Sequence, residues 1–209
     1  MIHVMSPPAS GSLASDRLHR DRERLAVAGI GRNLRRTNES ARAVIGVVGR
    51  SGSGKTSLLE LLIPQLTSRG LAVGAVKHTS HGFLADRPGK DSYRLYESGA
   101  ATVALVSAQQ IATFTRRSAE ASPDVSIDTA LASLPGGLDV VLVEGFSWEP
   151  IPRFVLVPDS EPPIPEHLSH GEVLRIVKIL PKQEGRKPEF SRTLIDSLAD
   201  EVTRLIGVP

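Results

Sequence analysis

The chain has 209 residues, 40% of them hydrophobic and 23% charged, the balance of a protein with one well-buried core rather than a disordered or fibrous chain. No apolar run reaches the roughly 18 residues needed to cross a bilayer, so no membrane span is predicted. Cysteine is absent, which excludes disulfides, thiolate metal sites and cysteine nucleophiles; the net charge of +2 is uneven, because residues 1–43 carry eight Arg and four acids and leave the rest of the chain at −2.

Residues 1–42 mix Pro, Ser, Gly and Arg without a sustained apolar period and predict a largely disordered extension, with a short helix over Leu18–Leu25. Its arginines lack interleaved aromatics, so a solvated tail is expected and nucleic acid is not. The tail also lacks the apolar stretch of a secretory signal, and Asp16, Asp21 and Glu23 argue against a transit peptide, so a cytoplasmic protein is expected. Residues 43–209 are expected to form one domain.

Ala43–Val48 is a continuous, mostly β-branched run that fits a strand buried on both faces. Lys55–Arg69 carries Leu58, Leu59, Leu62, Ile63 and Leu66 on one helical stripe and ends at Gly70. Leu71–Val76 reads as the next strand, residues 78–89 as a loop and Tyr93–Ser98 as a short helix. Thr102–Val106 and Gln109–Thr115 read as strands, the polar second one at a sheet edge. Ser126 caps a helix running to Leu134, with Asp128 in its first turn. Leu138–Val143 is another apolar run, ending in Glu144 and Gly145, and Phe154–Val157 and Val173–Val177 are short strand candidates. The prolines from Pro150 to Pro165 predict irregular chain over that span. Leu194, Ile195, Leu198, Val202, Leu205 and Ile206 recur at helical spacing and predict a final amphipathic helix. Strands alternating with helices predict an α/β fold with an open, mostly parallel sheet flanked by helices.

Gly49, Gly54, Lys55 and Thr56 match G-x-x-x-x-G-K-[ST] between the first strand and the first helix, the context that motif requires of a P-loop NTPase. The glycines allow main-chain N–H groups to turn inward around phosphates at a helix N-terminus. Ser51, Gly52, Ser53 and Ser57 complete the expected phosphate contacts, Lys55 is expected at the β- and γ-phosphates, and the Thr56 hydroxyl at Mg²⁺. Glu144 closes a buried strand at its C-terminal end, where ligands gather in such sheets, and is expected to hold a metal-bound water or orient the attacking one. Asp139 stands at the opposite end of that strand and is expected to cap its entrance. The ionisable loop after the second strand faces the same crevice. There Asp91 is the second candidate metal acid, Lys77 and Lys90 are candidate phosphate ligands, and His78, His81 and Asp86 form a loosely spaced set better suited to solvent or phosphate than to a metal.

The stretch Gly49–Thr56, Val76-Lys77-His78 with His81, Gly89-Lys90-Asp91-Ser92-Tyr93-Arg94, Glu97-Ser98-Gly99-Ala100 and Asp139 through Glu144-Gly145-Phe146 together resemble the MobB family. The likeness spans about Ala43–Val157, and its Gly-Lys-Asp-Ser-Tyr-Arg block is far more specific than the phosphate loop. The resemblance implies a homodimeric protein that binds GTP with Mg²⁺, hydrolyses it weakly, and assists MobA, the guanylyltransferase that joins GMP to molybdopterin; molybdopterin itself is a further candidate ligand. It carries phosphate binding onto Gly49–Thr56 and metal or nucleotide roles onto Asp91 and Glu144. The acid that the family shows soon after the second histidine has no counterpart in Gly82-Phe83-Leu84-Ala85, whereas Asp86 keeps its place before Arg87.

Three rivals share the loop. A small-molecule kinase would carry an Arg-rich lid, of which Arg116-Arg117 is a faint version. A metal chaperone resembling UreG or HypB would carry an Asn-Lys-x-Asp motif, which is absent. A scaffold that binds nucleotide without hydrolysing it would have the same fold and loop.

Overall fold

The computed structural model describes residues 41–84, 86–118, 125–159, 168, 170–179 and 188–207. The expected N-terminal tail up to residue 40, with its short helix, lies outside the described residues. Among those described, the order is β1 (Ala41–Gly49), α1 (Lys55–Thr67), β2 (Val73–Lys77), α2 (Asp91–Glu97), β3 (Thr102–Val106), β4 (Ile111–Thr115), α3 (Ile127–Ala132), β5 (Leu138–Glu144), β6 (Arg153–Pro158), β7 (Val173–Ile179) and α4 (Arg192–Leu205). Five strands form one sheet in the order β2-β5-β1-β6-β7, every pairing parallel. This is the open parallel α/β sheet that the sequence predicts.

Side-chain alternation along the strands feeds two cores. Ile45, Val47, Leu142 and Phe154 pack on one face against Leu58, Leu62 and Leu66 of α1 and Leu198 and Val202 of α4. Val44, Val141 and Val143 point the other way, against Ile127 and Leu131 of α3. Truncating a fully buried side chain such as Leu62 to Ala costs about 2–5 kcal/mol. Ser126 and Ser191 cap α3 and α4 by accepting from the N–H groups of Thr129 and Leu194, each cap stabilising its helix by about 1 kcal/mol.

Two expectations are corrected. β1 starts at Ala41, which pairs with Leu138, so the ordered strand reaches two residues into the segment read as a tail. The span from Pro150 is not irregular throughout, because Arg153–Pro158 is a buried strand; Pro152 precedes it and Pro158 ends it, the positions at which a missing N–H is tolerated. Residues 160–165 lie outside the described residues. β3 and β4 pair antiparallel with each other in a separate two-stranded sheet, so the second is an edge strand as expected, although neither joins the main sheet. A pattern that alternates polar with apolar fits any two-sided pairing and does not name the partner.

β1 lies between β5 and β6, while the chain leaving β1 passes over β5 to reach β2. The connections therefore diverge on either side of β1, and a crevice opens at the carboxyl ends of the strands there. Register places Lys77, Glu144 and Val47 abreast on β2, β5 and β1. The strand ends thus bring a cation and a carboxylate to the place where the glycine loop begins.

Candidate functional site

The loop between β1 and α1 has a shape only glycine permits at two points. At Gly49 an added Cβ would lie 2.6 Å from the Leu156 carbonyl oxygen, and at Gly54, whose φ is +88°, it would lie 2.8 Å from Cγ of Pro188. Gly54 is also the N-cap of α1 and makes no side-chain cap, so the first-turn N–H groups of the helix are left facing the loop at the positive end of its dipole. Ser51 and Gly52 stand exposed on the rim, and Ser57 is half-buried in the first turn. Ser53 is buried, and its Oγ has no hydrogen-bond partner. The Ser53 N–H donates to the Arg50 carbonyl oxygen at 3.2 Å, so its hydroxyl is the buried polar group of the loop left to be satisfied.

Lys55 folds back over this loop, its ammonium donating to the carbonyl oxygens of Gly49 at 2.9 Å and Arg50 at 2.7 Å. Burial lowers its pKa below the ordinary lysine value, and neighbouring Lys77 adds to that effect while Glu144 opposes it. Beneath the loop, Thr56 Oγ1 donates to Glu144 Oε2 at 2.8 Å, and Lys77 Nζ lies 3.1 Å from Glu144 Oε1 and 3.4 Å from Thr56 Oγ1. Glu144 is only 9% exposed, so its charge requires these partners.

The residues fit a triphosphate and its magnesium ion. With its proton committed to Glu144, the Thr56 hydroxyl keeps acceptor lone pairs for a cation; the carboxylate behind it suits a hard ion that retains several waters. Magnesium, when bound, would be held by Thr56 and Glu144 and would neutralise phosphate charge. The Lys77 side chain is 62% exposed, so its ammonium also faces solvent at the mouth of the crevice.

The remaining candidates sit elsewhere. Lys90 and Asp91 head α2 and are exposed, Asp91 pairing with Arg94 at 3.5 Å; the structure does not bring either of them to Thr56 or Glu144. Asp139 accepts from the Ala72 N–H at 2.9 Å and meets Arg42 at 3.5 Å, the strand-entrance role its position suggests. Asp86 accepts from Ser92 Oγ and from the Arg87 N–H, and these bonds, the serine's first, hold its carboxyl below the usual range. Among the described residues no three His, Asp or Glu side chains gather as a metal site, so the structure does not bring His78, His81 and Asp86 together.

Sequence reasoning missed two parts of the site. The first is an aromatic cluster beside Glu144. His78 stands with its ring 5.0 Å from those of both Phe146 and Trp148, and Phe146 is the one non-glycine residue with positive φ, +52°, among the described residues. Backbone held in that region carries a cost that the surroundings must offset. The second is Arg153. Fully buried, it donates to the carbonyl oxygens of Ser147, Glu149 and Ile151 and so fixes the turn that follows Glu144. The lone Trp was a signal for the first; an arginine ahead of a strand gives none for the second.

The glycine-loop sheet has known counterparts. A family model described as Molybdopterin guanine dinucleotide synthesis protein B, MobB, matches residues 44–178. The molybdopterin-guanine dinucleotide biosynthesis adapter protein of Haemophilus influenzae is 39% identical over 155 residues, 73% of this chain and 80% of that protein. The Escherichia coli protein of the same description is 44% identical over 120 residues, 56% of this chain and 67% of its own. Among solved structures, a molybdopterin-guanine biosynthesis protein B superposes with a TM-score of 0.56 at 29% identity, covering 78% of this chain and 98% of the other. A MobB homologue from Bacillus stearothermophilus does so with 0.51 at 28%, covering 77% and 98%.

Proposed function

The chain belongs to the MobB family, and from that premise we propose that it is an adapter in molybdopterin-guanine dinucleotide biosynthesis that binds GTP with Mg²⁺ at its glycine loop. The observation that carries the nucleotide reading is the Thr56–Glu144 contact under a loop whose Ser53 hydroxyl is buried without a partner. In this reading the N–H groups from Gly49 to Ser57 wrap the phosphates and Lys55 leaves the carbonyls of Gly49 and Arg50 for the β- and γ-oxygens. Thr56 holds the metal. Glu144 orients a water for attack on the terminal phosphorus, and Lys77 and Lys90 add positive charge on the phosphate side. Asp91 is a second metal acid only if α2 closes on the loop.

Hydrolysis is slow in this reading, because one carboxylate serves both the metal shell and the attacking water. Transfer of GMP to molybdopterin belongs to a partner guanylyltransferase resembling MobA. The working unit in this reading is a homodimer. The β3–β4 hairpin supports dimerisation, since Val106 and Ile111 are 73% and 72% exposed on it, and a two-stranded sheet alone is marginally stable in water.

Calorimetry with GTP and ATP, followed by phosphate release with and without the guanylyltransferase, tests the proposal. GTP is expected to bind at least about tenfold more tightly than ATP. A preference for ATP of that size would turn the reading to a small-molecule kinase, and tight GTP binding without phosphate release would leave a non-hydrolysing scaffold.

A further inference from the structure

Lys77 closes β2 and pairs in register with Glu144 on β5, and neighbouring parallel strands carry paired side chains on the same face. Its ammonium lies 3.1 Å from Glu144 Oε1 and 3.4 Å from Thr56 Oγ1, while Thr56 Oγ1 donates to the other carboxylate oxygen at 2.8 Å. The two groups whose chemistry fits a magnesium ion are therefore the same two that the Lys77 nitrogen touches. One positive centre stands between a hydroxyl oxygen and a carboxylate oxygen.

Two cations cannot share this place. An ammonium in contact with both oxygens fills the space between them, and its repulsion of a divalent ion is strengthened by burial, since Glu144 is only 9% exposed. Lys55 adds a second ammonium, committed to the carbonyl oxygens of Gly49 and Arg50. The single negative charge of Glu144 does not balance Lys55, Lys77 and a divalent ion together. A triphosphate reverses that balance, because it brings several negative charges and the oxygens on which magnesium is ordinarily carried. Only the tip of Lys77 is held by the contacts with Thr56 and Glu144; its stem is flexible, and the side chain is 62% exposed.

We propose that Lys77 is the resident cation of the site: in the nucleotide-free protein its ammonium holds the Thr56–Glu144 seat against divalent ions, and phosphate oxygens draw it off that seat, so that Mg²⁺ enters only with the nucleotide. The inference rests on the reading that the glycine loop binds GTP with Mg²⁺, and adds to it the coupling between the two. Nucleotide and metal strengthen each other's binding by one common factor, and Lys77 enlarges that factor by keeping the metal out when nucleotide is absent. A lysine that served phosphate alone would contribute equally with and without metal.

The nucleotide-free full chain is titrated with Mn²⁺, whose electron paramagnetic resonance signal is lost on binding. The parent is expected to leave the signal close to that of buffer. Lys77→Met should bind Mn²⁺ at least about tenfold more tightly than the parent. Lys77→Arg, which keeps the charge, should stay within about threefold of the parent, and the gain should disappear when Lys77→Met is combined with Glu144→Gln. Lys77→Gln keeps an amide donor for the buried carboxylate and repeats the measurement should Lys77→Met fail to fold. In calorimetry, the factor by which Mg²⁺ tightens GTP binding relative to a chelator should fall about tenfold or more in Lys77→Met. Mn²⁺ binding by the parent as tight as by Lys77→Met, a gain that survives Glu144→Gln, or an equal loss of GTP affinity with and without Mg²⁺ would each overturn the proposal. Any of these with GTP binding intact in the parent defeats the resident cation alone, whereas absent GTP binding by the parent defeats the nucleotide reading and this inference with it.

Discussion

The Thr56 hydroxyl and the Glu144 carboxylate meet at 2.8 Å across 88 residues of chain, and Lys77 closes on the other oxygen of the same carboxylate at 3.1 Å. Glu144→Gln keeps the shape and the hydrogen bond but removes the charge behind the metal position. Phosphate release is expected to fall about a hundredfold, with GTP affinity changed less than about threefold. Single-turnover assays beside calorimetry separate the two, and equal loss in both would assign Glu144 to binding alone.

Lys55→Ala removes the cation over the loop. GTP affinity is expected to drop about a hundredfold, the loss of two charge-assisted bonds, while the thermal midpoint without nucleotide stays near that of the parent. A parent-like affinity by calorimetry would remove the phosphate site from consideration.

The lowered pKa of Lys55 sets a pH dependence. Its unfolded form keeps its proton up to the ordinary lysine value of 10.5, and its folded form releases it earlier, so between those limits the unfolded chain binds more protons and this residue's contribution to stability rises with pH. Below the folded pKa the cost of holding the charged amine is fully present. Phosphate nearby restores the ammonium, so GTP binding in the alkaline window should take up a proton. Calorimetry in buffers of different ionisation enthalpy detects this uptake, and it should vanish in Lys55→Ala.

Arg153→Ala leaves the carbonyls of Ser147, Glu149 and Ile151 without their donor and opens a cavity. A loss of about 3–5 kcal/mol is expected in chemical denaturation. Arg153→Lys, with one point charge in place of a planar fork, should recover only part of it.

Val106→Glu and Ile111→Lys on the hairpin should shift the protein from dimer to monomer in sedimentation experiments. Both side chains are exposed within one chain, so intrinsic stability should change by less than about 0.5 kcal/mol. An unaltered dimer would place the interface elsewhere.

The place of the glycine loop between β1 and α1 was legible because its signal is local: glycine spacing, a lysine and a hydroxyl lie within eight consecutive residues. Glu144 was legible because a continuous apolar run ending in a carboxylate marks a buried strand and its exit. The sheet followed from the alternation of such runs with helices. The partner of β4 was not legible, since a strand of mixed polarity does not say which strand it meets. Neither was the exposure of Asp91, which depends on how α2 is carried relative to the sheet. Arg153 escaped because its acceptors are main-chain oxygens, and carbonyls leave no trace in residue identity.

Gly54 lies against Pro188 and Phe190, and α4 furnishes part of the core over α1. During synthesis the glycine-loop residues therefore leave the ribosome well before Pro188, Phe190 and α4. A nascent chain lacking these has the motif without its walls, so the loop takes its final shape only after more than a hundred further residues have been made.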